Sequence, residues 1–400
     1  GGTMCPSYMA TKDEKHTTRA RANILRDVLT NSTKANKFDS EEIKEVLDLC
    51  LECKGCKSDC PSNVDMAAMK SEFLQNYYDA NGIPFASKMI ANVANANAIF
   101  SNVSGLFNFF SKAPVSSTLI KKIMSIAPER TLPPLYKTTL RKWFKKNKIR
   151  LQEGAKPKGT VNFFADEVVN YNDVPIGIYA IELLSKIGYR VEIPQHTESG
   201  RPAISKGFLR KVAKIAEENV TALFDVVSDE TPIIGIEPSG ILTFRDEYPK
   251  LLKGDLKSKA VDISKNALLF EEFICREIEK GNITSDLFKD TKEKIKVHGH
   301  CHQKALSSVD FTKDALSLPT NFDVEEIPSG CCGMSGSFGY EAKNYETSMK
   351  IGELVLFPAV REAEKGTIIA APGTSCRHQI KDGTDVEAKH PAQILFEALK

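Results

Sequence analysis

The sequence predicts a multidomain protein, with an all-α N-terminal domain followed by two repeated α/β domains. Helical periodicity dominates the first 90 residues, whereas short apolar strands alternate with helices from residue 159 onward. That strand–helix pattern begins again at residue 294, which indicates an internal repeat. We expect four segments: 1–90, helical; 91–157, a helical and basic connecting region; 158–293, the first α/β domain; and 294–400, the second.

The N-terminal domain is predicted to be helical throughout its cysteine-bearing part. Residues 17–50 read as helix, and DSEE (39–42) supplies an N-cap and a capping-box acid before IKEVLDLC. A further helix follows Cys60-Pro61 and ends at Gly82. The first cysteines are therefore expected among helices rather than strands.

The connecting region contains an apolar stretch and a basic one. IFSNVSGLFNFFSKAP (99–114) is too short and too interrupted to span a membrane, so we expect a buried helix there and no transmembrane segment. KTTLRKWFKKNKIR (137–150) carries seven Lys or Arg and no acid. It is either a solvated helix face or a docking surface for an acidic partner or anionic lipid headgroups, the latter a peripheral membrane contact.

The two α/β domains can be laid over one another as a decayed repeat. Residues 192–207 match residues 325–339, which places Glu198-Ser199-Gly200 opposite Cys331-Cys332-Gly333. The IIGIEPSG and IIAAPGTSC segments match in the same way, so Ser239 stands near the position of Cys376. The first repeat thus keeps the strand–helix pattern of the second but has none of its cysteines.

Composition narrows the function classes. The 400 residues are 42% hydrophobic and 26% charged with a net charge of +2, which argues against a dedicated nucleic-acid binder. No signal peptide is visible, so we expect a cytoplasmic location, where ten cysteines indicate metal or redox chemistry rather than disulfides. Cys275 lies in an apolar helical pattern and is expected to be a core thiol.

The most specific motif is C-x2-C-x2-C-x3-C-P, formed by Cys50, Cys53, Cys56 and Cys60. This spacing is typical of an iron–sulfur module in which the fourth cysteine binds a different cluster, whereas zinc sites usually pair two separated CxxC units. The fourth ligand of the first [4Fe-4S] cluster is then expected from Cys5-Pro6. Cys60 would bind a second cluster whose other cysteines precede residue 1, so we expect the helical domain to be truncated at its N-terminus.

A second group of cysteines lies where strands of the second repeat end. Its thiols are Cys301, Cys331, Cys332 and Cys376, and nearby glycines would let the backbone approach a metal site. Four histidines flank the group and are candidate ligands, proton carriers or hydrogen-bond donors, although each taken singly is more often structural: His298, His300, His302 and His378.

These motifs resemble those of a known family. HGHCHQKAL, GCCGMSGSFGYE and PGTSCRHQI resemble the CCG, or cysteine-rich, domain of iron–sulfur oxidoreductases. The stretches around Cys5 and Cys50–Cys60 resemble the helical ferredoxin module that precedes two CCG domains. With IEPSGILTFRDEYP, the combination is similar to the C-terminal half of FAD-linked oxidases, which are related to D-lactate and D-2-hydroxyglutarate dehydrogenases.

The resemblance implies a fold and a role. The chain would be the iron–sulfur electron-transfer portion of a FAD-linked 2-hydroxy-acid dehydrogenase, with FAD in an upstream domain, fused or separate, and no catalytic residue here. The four thiols of the second CCG domain would be ligands. Because SCRHQ offers one cysteine where relatives such as heterodisulfide reductase have CxxC, a four-thiolate iron–sulfur cluster or zinc fits better than a noncubane cluster.

Two alternatives remain open. One is a separate iron–sulfur subunit, as in glycolate oxidase, anaerobic glycerol-3-phosphate dehydrogenase or heterodisulfide reductase-type complexes. The other is a zinc-stabilised interaction scaffold without a redox role. The acceptor would be a quinone, a cytochrome or another flavoprotein.

Overall fold

The computed structural model describes residues 4–153 and 157–400. The expected N-terminal end of the helical domain at residues 1–3 lies outside the described residues. Residues 154–156, near the end of the predicted connecting region 91–157, lie outside the described residues too.

The N-terminal part is helical, as predicted. Ser40 caps its third helix by accepting a hydrogen bond from the backbone N–H of Ile43 at 3.3 Å. The helical pattern predicted over 17–50 forms two helices, the second starting at the predicted DSEE cap. Between residues 31 and 41, Ser, Asn and Asp side chains compete for backbone hydrogen bonds. The helices are α1 (Pro6–Thr11), α2 (Thr18–Asn31), α3 (Glu41–Asp48), α4 (Gly55–Asp59) and α5 (Met66–Asn81).

The connecting region is also helical, but its apolar stretch is not buried. The prediction of a buried helix over 99–114 is wrong, because Leu106, Phe109 and Phe110 are exposed while serines face the rest of the chain. The predicted basic helix is present, and Thr139 caps it. The helices are α6 (Phe85–Ala91), α7 (Val93–Phe100), α8 (Ser104–Lys112), α9 (Pro114–Ile123) and α10 (Leu140–Gln152).

The first α/β unit is built on a four-stranded parallel sheet with strand order β2-β1-β3-β4. Three strands lie where the apolar pattern predicts them, and β4 is a three-residue edge strand that the pattern does not reveal. The strands are β1 (Gly159–Phe163), β2 (Tyr189–Glu192), β3 (Ile233–Gly235) and β4 (Ala267–Leu269). The helices are α11 (Glu167–Tyr171), α12 (Val174–Lys186), α13 (Arg201–Ile204), α14 (Leu209–Leu223), α15 (Pro238–Ile241), α16 (Tyr248–Leu251), α17 (Gly254–Lys265) and α18 (Phe270–Glu279).

The second α/β unit has a three-stranded parallel sheet with strand order β6-β5-β7, which matches β2-β1-β3 strand for strand. The strands are β5 (Glu293–Val297), β6 (Phe322–Glu326) and β7 (Ile368–Ala370). The helices are α19 (Cys301–Leu306), α20 (Asp310–Leu316), α21 (Tyr345–Glu353), α22 (Leu356–Arg361), α23 (Thr374–Thr384) and α24 (Pro391–Ala398).

One hydrophobic core joins the two sheets. It contains Val161 and Phe163 of β1, Ile295 and Val297 of β5, and Leu395 of α24, all buried. Helix α24 packs on α12 across the junction. The carboxyl ends of both sheets are therefore held in a fixed relation to each other.

Within the described ranges, every helix is either too short or too polar to cross a bilayer.

Candidate metal centre

Four thiols of the N-terminal helices line one pocket. They are Cys5, Cys50, Cys53 and Cys56, which the cysteine spacing assigns to the first cluster. Cys5 comes from the start of α1, and the other three come from the loop between α3 and α4 and from α4 itself. The pairing of the C-x2-C-x2-C run with Cys5-Pro6 thus agrees with this arrangement.

Hydrogen-bond donors surround the sulfur of Cys5. The backbone N–H of Thr18, the first residue of α2, donates to its Sγ at 3.1 Å. The guanidinium of Arg21 lies 3.8 Å from the same sulfur and is buried. A helix N-terminus and a buried cation both stabilise negative charge on sulfur.

The loop that carries Cys50, Cys53 and Cys56 is tightly wound. Glu52 and Lys54 both adopt left-handed backbone conformations, with φ of 55° and 61°. Burial raises the pKa of the Cys53 and Cys56 thiols, while a backbone N–H hydrogen bond to each sulfur lowers it in part. Such buried thiols are inert as free groups, so they fit metal coordination better than nucleophilic chemistry.

Cys60 stands apart from this pocket, as the ferredoxin-type spacing predicts. It is partly exposed. Backbone N–H groups of Val64 and Ser62 hydrogen-bond its sulfur and hold the pKa of the Cys60 thiol below its usual range. Its sulfur is therefore available to a second site on the outer face of the helical domain.

The second group of thiols gathers at the carboxyl end of the second sheet. Cys301 opens α19 just after β5, Cys331 and Cys332 lie in the loop after β6, and Cys376 lies in the first turn of α23 after β7. All four are buried. Hydrogen bonds from Cys331 and Cys376 hold the pKa of the Cys332 thiol below its usual range.

His298 joins this group. Ligand atoms of His298, Cys332 and Cys376 all lie within 4.8 Å of one another. Its Nδ1 is hydrogen-bonded to the Ser329 hydroxyl at 2.7 Å, while its buried Nε2 has no hydrogen-bond partner among the described residues. From the sequence His298 is only one of four candidate histidines, because the pattern alone does not show which ring faces the thiols.

The other three histidines have structural partners. His300 caps α19 by accepting from the backbone N–H of His302 at 3.1 Å. His302 Nε2 donates to the backbone carbonyl of Glu52 at 2.9 Å. His378 is hydrogen-bonded to the Tyr340 hydroxyl at 2.6 Å.

Glycine is required at two points of this site. Gly333 has φ of 95°, and a Cβ there would lie 2.3 Å from the carbonyl oxygen of Ser348. A Cβ at Gly373 would lie 2.4 Å from the His300 ring and 3.3 Å from Cys376 Sγ. Any larger residue would push the cysteine loops apart.

The two thiol groups meet at one junction. Cys53 and Cys301 belong to the same buried cluster, which also contains Leu51, Cys331 and Phe338. The carbonyl of Leu51 accepts a hydrogen bond from Ser335 Oγ, beside the second group of thiols. The cysteine loop of the helical domain therefore sits directly on the cysteine loops of the second sheet.

A buried ion-pair network that the sequence does not reveal clamps the same loop from the other side. The ammonium of Lys54 contacts Asp246 at 2.5 Å and Glu247 at 2.9 Å, and all three side chains are buried. Burial alone would lower the pKa of Lys54, but the two carboxylates outweigh it and raise the pKa. Asp246 and Glu247 belong to the IEPSGILTFRDEYP segment, which thus supplies the two acids that hold Lys54.

At the carboxyl end of the first sheet, the equivalent positions hold no thiol. Glu167 opens α11 as Cys301 opens α19, and its carboxylate accepts from both the backbone N–H and the hydroxyl of Ser199 at 2.7 Å. Cys376 is the third residue after Gly373, the N-cap of α23, and Gly240 is the third residue after Glu237, the N-cap of α15. Gly240, and not the predicted neighbour Ser239, therefore lies opposite Cys376. A Cβ at Gly240 would lie 3.2 Å from Asp166 Oδ2, so this end is filled by carboxylates.

Soft thiolates and a buried imidazole form a donor set suited to iron–sulfur clusters or zinc, and the unpartnered Nε2 of His298 is a position that a metal would satisfy. Cys275 takes no part. It is buried in α18, its Sγ donates to the carbonyl of Phe311, and burial raises its pKa to about 12. The prediction of a core thiol is confirmed.

Comparison with known proteins agrees with this chemistry. Residues 2–65 match the model of the 4Fe-4S dicluster domain. The chain is 27% identical to D-2-hydroxyglutarate dehydrogenase of Escherichia coli over 99% of its own length and 42% of that relative, so it spans about two fifths of the relative's length.

Two shorter relatives match as well. A subunit of the anaerobic glycerol-3-phosphate dehydrogenase of Escherichia coli is 29% identical over 70% of the chain and 69% of its own length. A probable glycolate oxidase iron–sulfur subunit of Bacillus subtilis is 23% identical over 98% of the chain and 91% of its own length. The expected resemblance to iron–sulfur oxidoreductases is confirmed.

Proposed function

We propose that this chain is the iron–sulfur electron-transfer portion of a FAD-linked 2-hydroxy-acid dehydrogenase. The observation that carries the proposal is the junction at which Cys53 and Cys301 share one buried cluster. Electron transfer requires centres that lie close together in a dry, rigid surrounding, and the two thiol groups meet that requirement.

The thiols divide into three sets in this proposal. Cys5, Cys50, Cys53 and Cys56 hold a [4Fe-4S] cluster, and Cys60 is a ligand of a second one. Cys301, Cys331, Cys332 and Cys376, with His298 beside them, hold a further cluster or zinc at the end of the second sheet. An iron–sulfur cluster bound there supplies one-electron transfer; the protein supplies burial and hydrogen bonds that set its potential.

The domain assignment follows the same division. Residues 1–90 form the helical ferredoxin-type domain and 91–157 the basic connecting region. Residues 158–293 and 294–400 form two CCG-type domains, of which only the second keeps its cysteines. The matching strand orders β2-β1-β3 and β6-β5-β7 support an origin by duplication.

The substrate and partners come from the relatives. The D-2-hydroxyglutarate dehydrogenases match nearly the whole chain, so a flavin domain acting on a 2-hydroxy acid is the proposed electron donor. The relatives named as subunits support the alternative in which that partner is a separate chain. The proposed acceptor is a quinone, a cytochrome or a second flavoprotein, in a cytoplasmic setting.

Anaerobic purification with iron and sulfide analysis and EPR tests the proposal. We expect at least one reducible [4Fe-4S] signal, and Cys53→Ser should remove it while the C-terminal site stays occupied. Cys275→Ser is the matched control, because this buried thiol lies in neither group. A colourless protein without iron would contradict the proposal.

One observation favours a second candidate, a zinc-stabilised scaffold. Ligand atoms of His298, Cys332 and Cys376 lie within 4.8 Å of one another, a spacing that suits a single tetrahedral ion. Stoichiometric zinc and no iron in anaerobically purified protein would favour this candidate over electron transfer. Zinc at the second site together with iron at the first would leave the N-terminal cluster as the only redox centre.

A further inference from the structure

Helices α8 and α9 present their apolar side chains to solvent and their serines to the protein. Leu106 and Phe109 of α8 are 60% and 66% exposed, and Val115 of α9 is 86% exposed. In contrast, Ser104 and Ser111 are only 6% and 8% exposed. A helix on the surface of a globular protein normally has the opposite arrangement, with its apolar stripe facing the core.

The two helices form one continuous apolar surface, which we call the outward hairpin (residues 104–123). They pack against each other and are joined at Ala113 and Pro114. The large side chains exposed on the hairpin are Leu106, Phe109, Phe110, Val115, Leu119 and Ile123. Such a contiguous patch marks an interaction site rather than ordinary scattered surface residues.

The charges around the hairpin have one sign. Residues 80–150 contain 12 of the 54 Lys and Arg residues of the chain but only one of its 52 acids, Glu129. The remainder of the chain therefore has 42 basic and 51 acidic residues. The small positive net charge hides a strongly basic segment on an acidic protein.

The kind of basic residue indicates the partner. Between residues 80 and 128 the cations are all lysines, and three of them, Lys112, Lys121 and Lys122, belong to the hairpin. Protein–protein interfaces are depleted in lysine and enriched in arginine, whereas lysine beside exposed aromatic and aliphatic residues is typical of helices that lie in a lipid headgroup region.

Helix length limits how the hairpin could enter a bilayer. Helices α8 and α9 have 9 and 10 residues, about half of the 20 that a spanning helix needs. They can lie in the plane of the interface, with phenylalanine and leucine among the acyl chains and lysine among the phosphates. The basic helix α10 begins near the base of the hairpin, where Asn108 is hydrogen-bonded to both the N–H and the carbonyl of Leu135.

We propose that the outward hairpin inserts into the surface of an anionic lipid bilayer and attaches the protein to the membrane without spanning it. This proposal does not depend on the redox function, because it uses none of the cysteines.

Flotation of the full chain with lipid vesicles tests the proposal. The protein should float with vesicles of phosphatidylcholine and phosphatidylglycerol and bind much less to phosphatidylcholine alone. The double variant Leu106→Ser/Phe109→Ser should lower the partition coefficient by more than about tenfold, because two large apolar side chains no longer enter the bilayer. Val261→Ser/Leu354→Ser changes two apolar positions elsewhere on the surface, each 39% exposed, and should bind as the wild type does.

The charge contribution is tested separately. Lys112→Gln, Lys121→Gln and Lys122→Gln should each weaken binding to the anionic vesicles by about fivefold. Added salt should weaken wild-type binding in the same direction. Equal binding of the wild type and the lysine variants would overturn the role given to charge.

Insertion itself is measured with a fluorescent residue. The single Trp143 is changed to Phe, and Phe109→Trp places a reporter on the hairpin. Brominated phospholipids should quench this tryptophan and leave a Val261→Trp control unquenched. No vesicle binding, or an unquenched reporter, would overturn the proposal. A Leu106→Ser/Phe109→Ser variant that forms smaller assemblies in solution than the wild type, but binds vesicles equally well, would also overturn it. That result would assign the hairpin to contacts between protein copies.

Discussion

The carboxyl ends of the two parallel sheets share one strand order and have opposite chemistry. In the second, buried thiols lie together, and those of Cys332 and Cys376 lie beside the buried imidazole of His298. In the first, Glu167 and Ser199 occupy the positions of two of the cysteines and bind each other at 2.7 Å.

The difference shows that one strand order can support two kinds of buried polar group. A buried thiol group needs a metal or protons to neutralise it, whereas the Glu167–Ser199 pair satisfies itself with two hydrogen bonds. Phe164 stands where the second sheet has His298, and its ring packs on His196 and Phe244. The first end is thus closed by internal hydrogen bonds and aromatic packing, and its strands remain in place.

The largest expected effect is a loss of metal when the thiols at the carboxyl end of the second sheet are changed, with no loss for a matched change at the first sheet. Cys332→Ser should remove the metal of the second sheet while the N-terminal cluster signal stays, because Cys332 is hydrogen-bonded to both Cys331 and Cys376. Ser199→Ala, the matched change in the first sheet, should leave iron, sulfide and zinc contents unchanged. Metal analysis and EPR of both proteins measure this, and loss of metal in Ser199→Ala would contradict the comparison.

The next effect concerns stability. Ser199→Ala removes the hydroxyl that donates to the buried Glu167 carboxylate, and an unsatisfied buried acceptor costs about 1–3 kcal/mol. Urea unfolding of the anaerobic protein should show this loss. Ser264→Ala, at a partly exposed serine on α17 whose hydroxyl donates to the Val261 carbonyl, should change the unfolding free energy little.

A pH-dependent effect follows from Asp166. Burial, followed by the neighbouring Glu167 and Glu237 carboxylates, raises the pKa of Asp166 well above its ordinary value. Because the folded pKa lies above the unfolded one, Asp166 does not destabilise the fold below about pH 4, where the carboxyl is protonated in both states. As the pH rises from there to the folded pKa, ionisation favours the unfolded state and the free energy of unfolding falls. Asp166→Asn keeps the cap of α11 and should be more stable than the wild type at pH 8 but not at pH 4, as measured by thermal unfolding; a constant difference would contradict this.

The smallest effect is expected at Cys275. Cys275→Ala removes a buried thiol that packs in the core, so the free energy of unfolding should fall by about 1 kcal/mol with no change in metal content. A drop in iron would mean that this thiol is a ligand and would break the division of the cysteines.

Sequence spacing was sufficient to predict that Cys5 lies with Cys50, Cys53 and Cys56, because C-x2-C-x2-C leaves one ligand missing and Cys5-Pro6 is the fitting partner. The repeat also revealed which strands correspond. The burial of residues 99–114 was mispredicted because a run of Leu and Phe shows that a segment is apolar but not which way its apolar side chains point. The clamp of Lys54 on Asp246 could not be foreseen, since the two residues are 192 positions apart and each alone reads as surface charge.

His298 shows another limit of the sequence. By sequence position, the four histidines near the cysteines are equally good candidates for a metal ligand. In the structure, His300 is hydrogen-bonded to a backbone amide, His302 to a carbonyl and His378 to a tyrosine. Of these four, His298 is the one with a fully buried ring nitrogen that has no partner among the described residues, and the one grouped with Cys332 and Cys376. Both properties depend on side-chain orientation, which a sequence pattern does not contain.

Glu237 belongs to the first α/β unit but supports the second, so the two units are not structurally independent. Glu237, at the end of β3, accepts a hydrogen bond from the backbone N–H of Thr374 at 2.8 Å, two residues before Cys376. Asp173 likewise binds Arg377. Excising residues 294–400 would therefore leave the Cys376 helix without its anchors. Substitution of Glu237 or Asp173 in the first unit is correspondingly restrained, because these carboxylates hold the helix that carries Cys376.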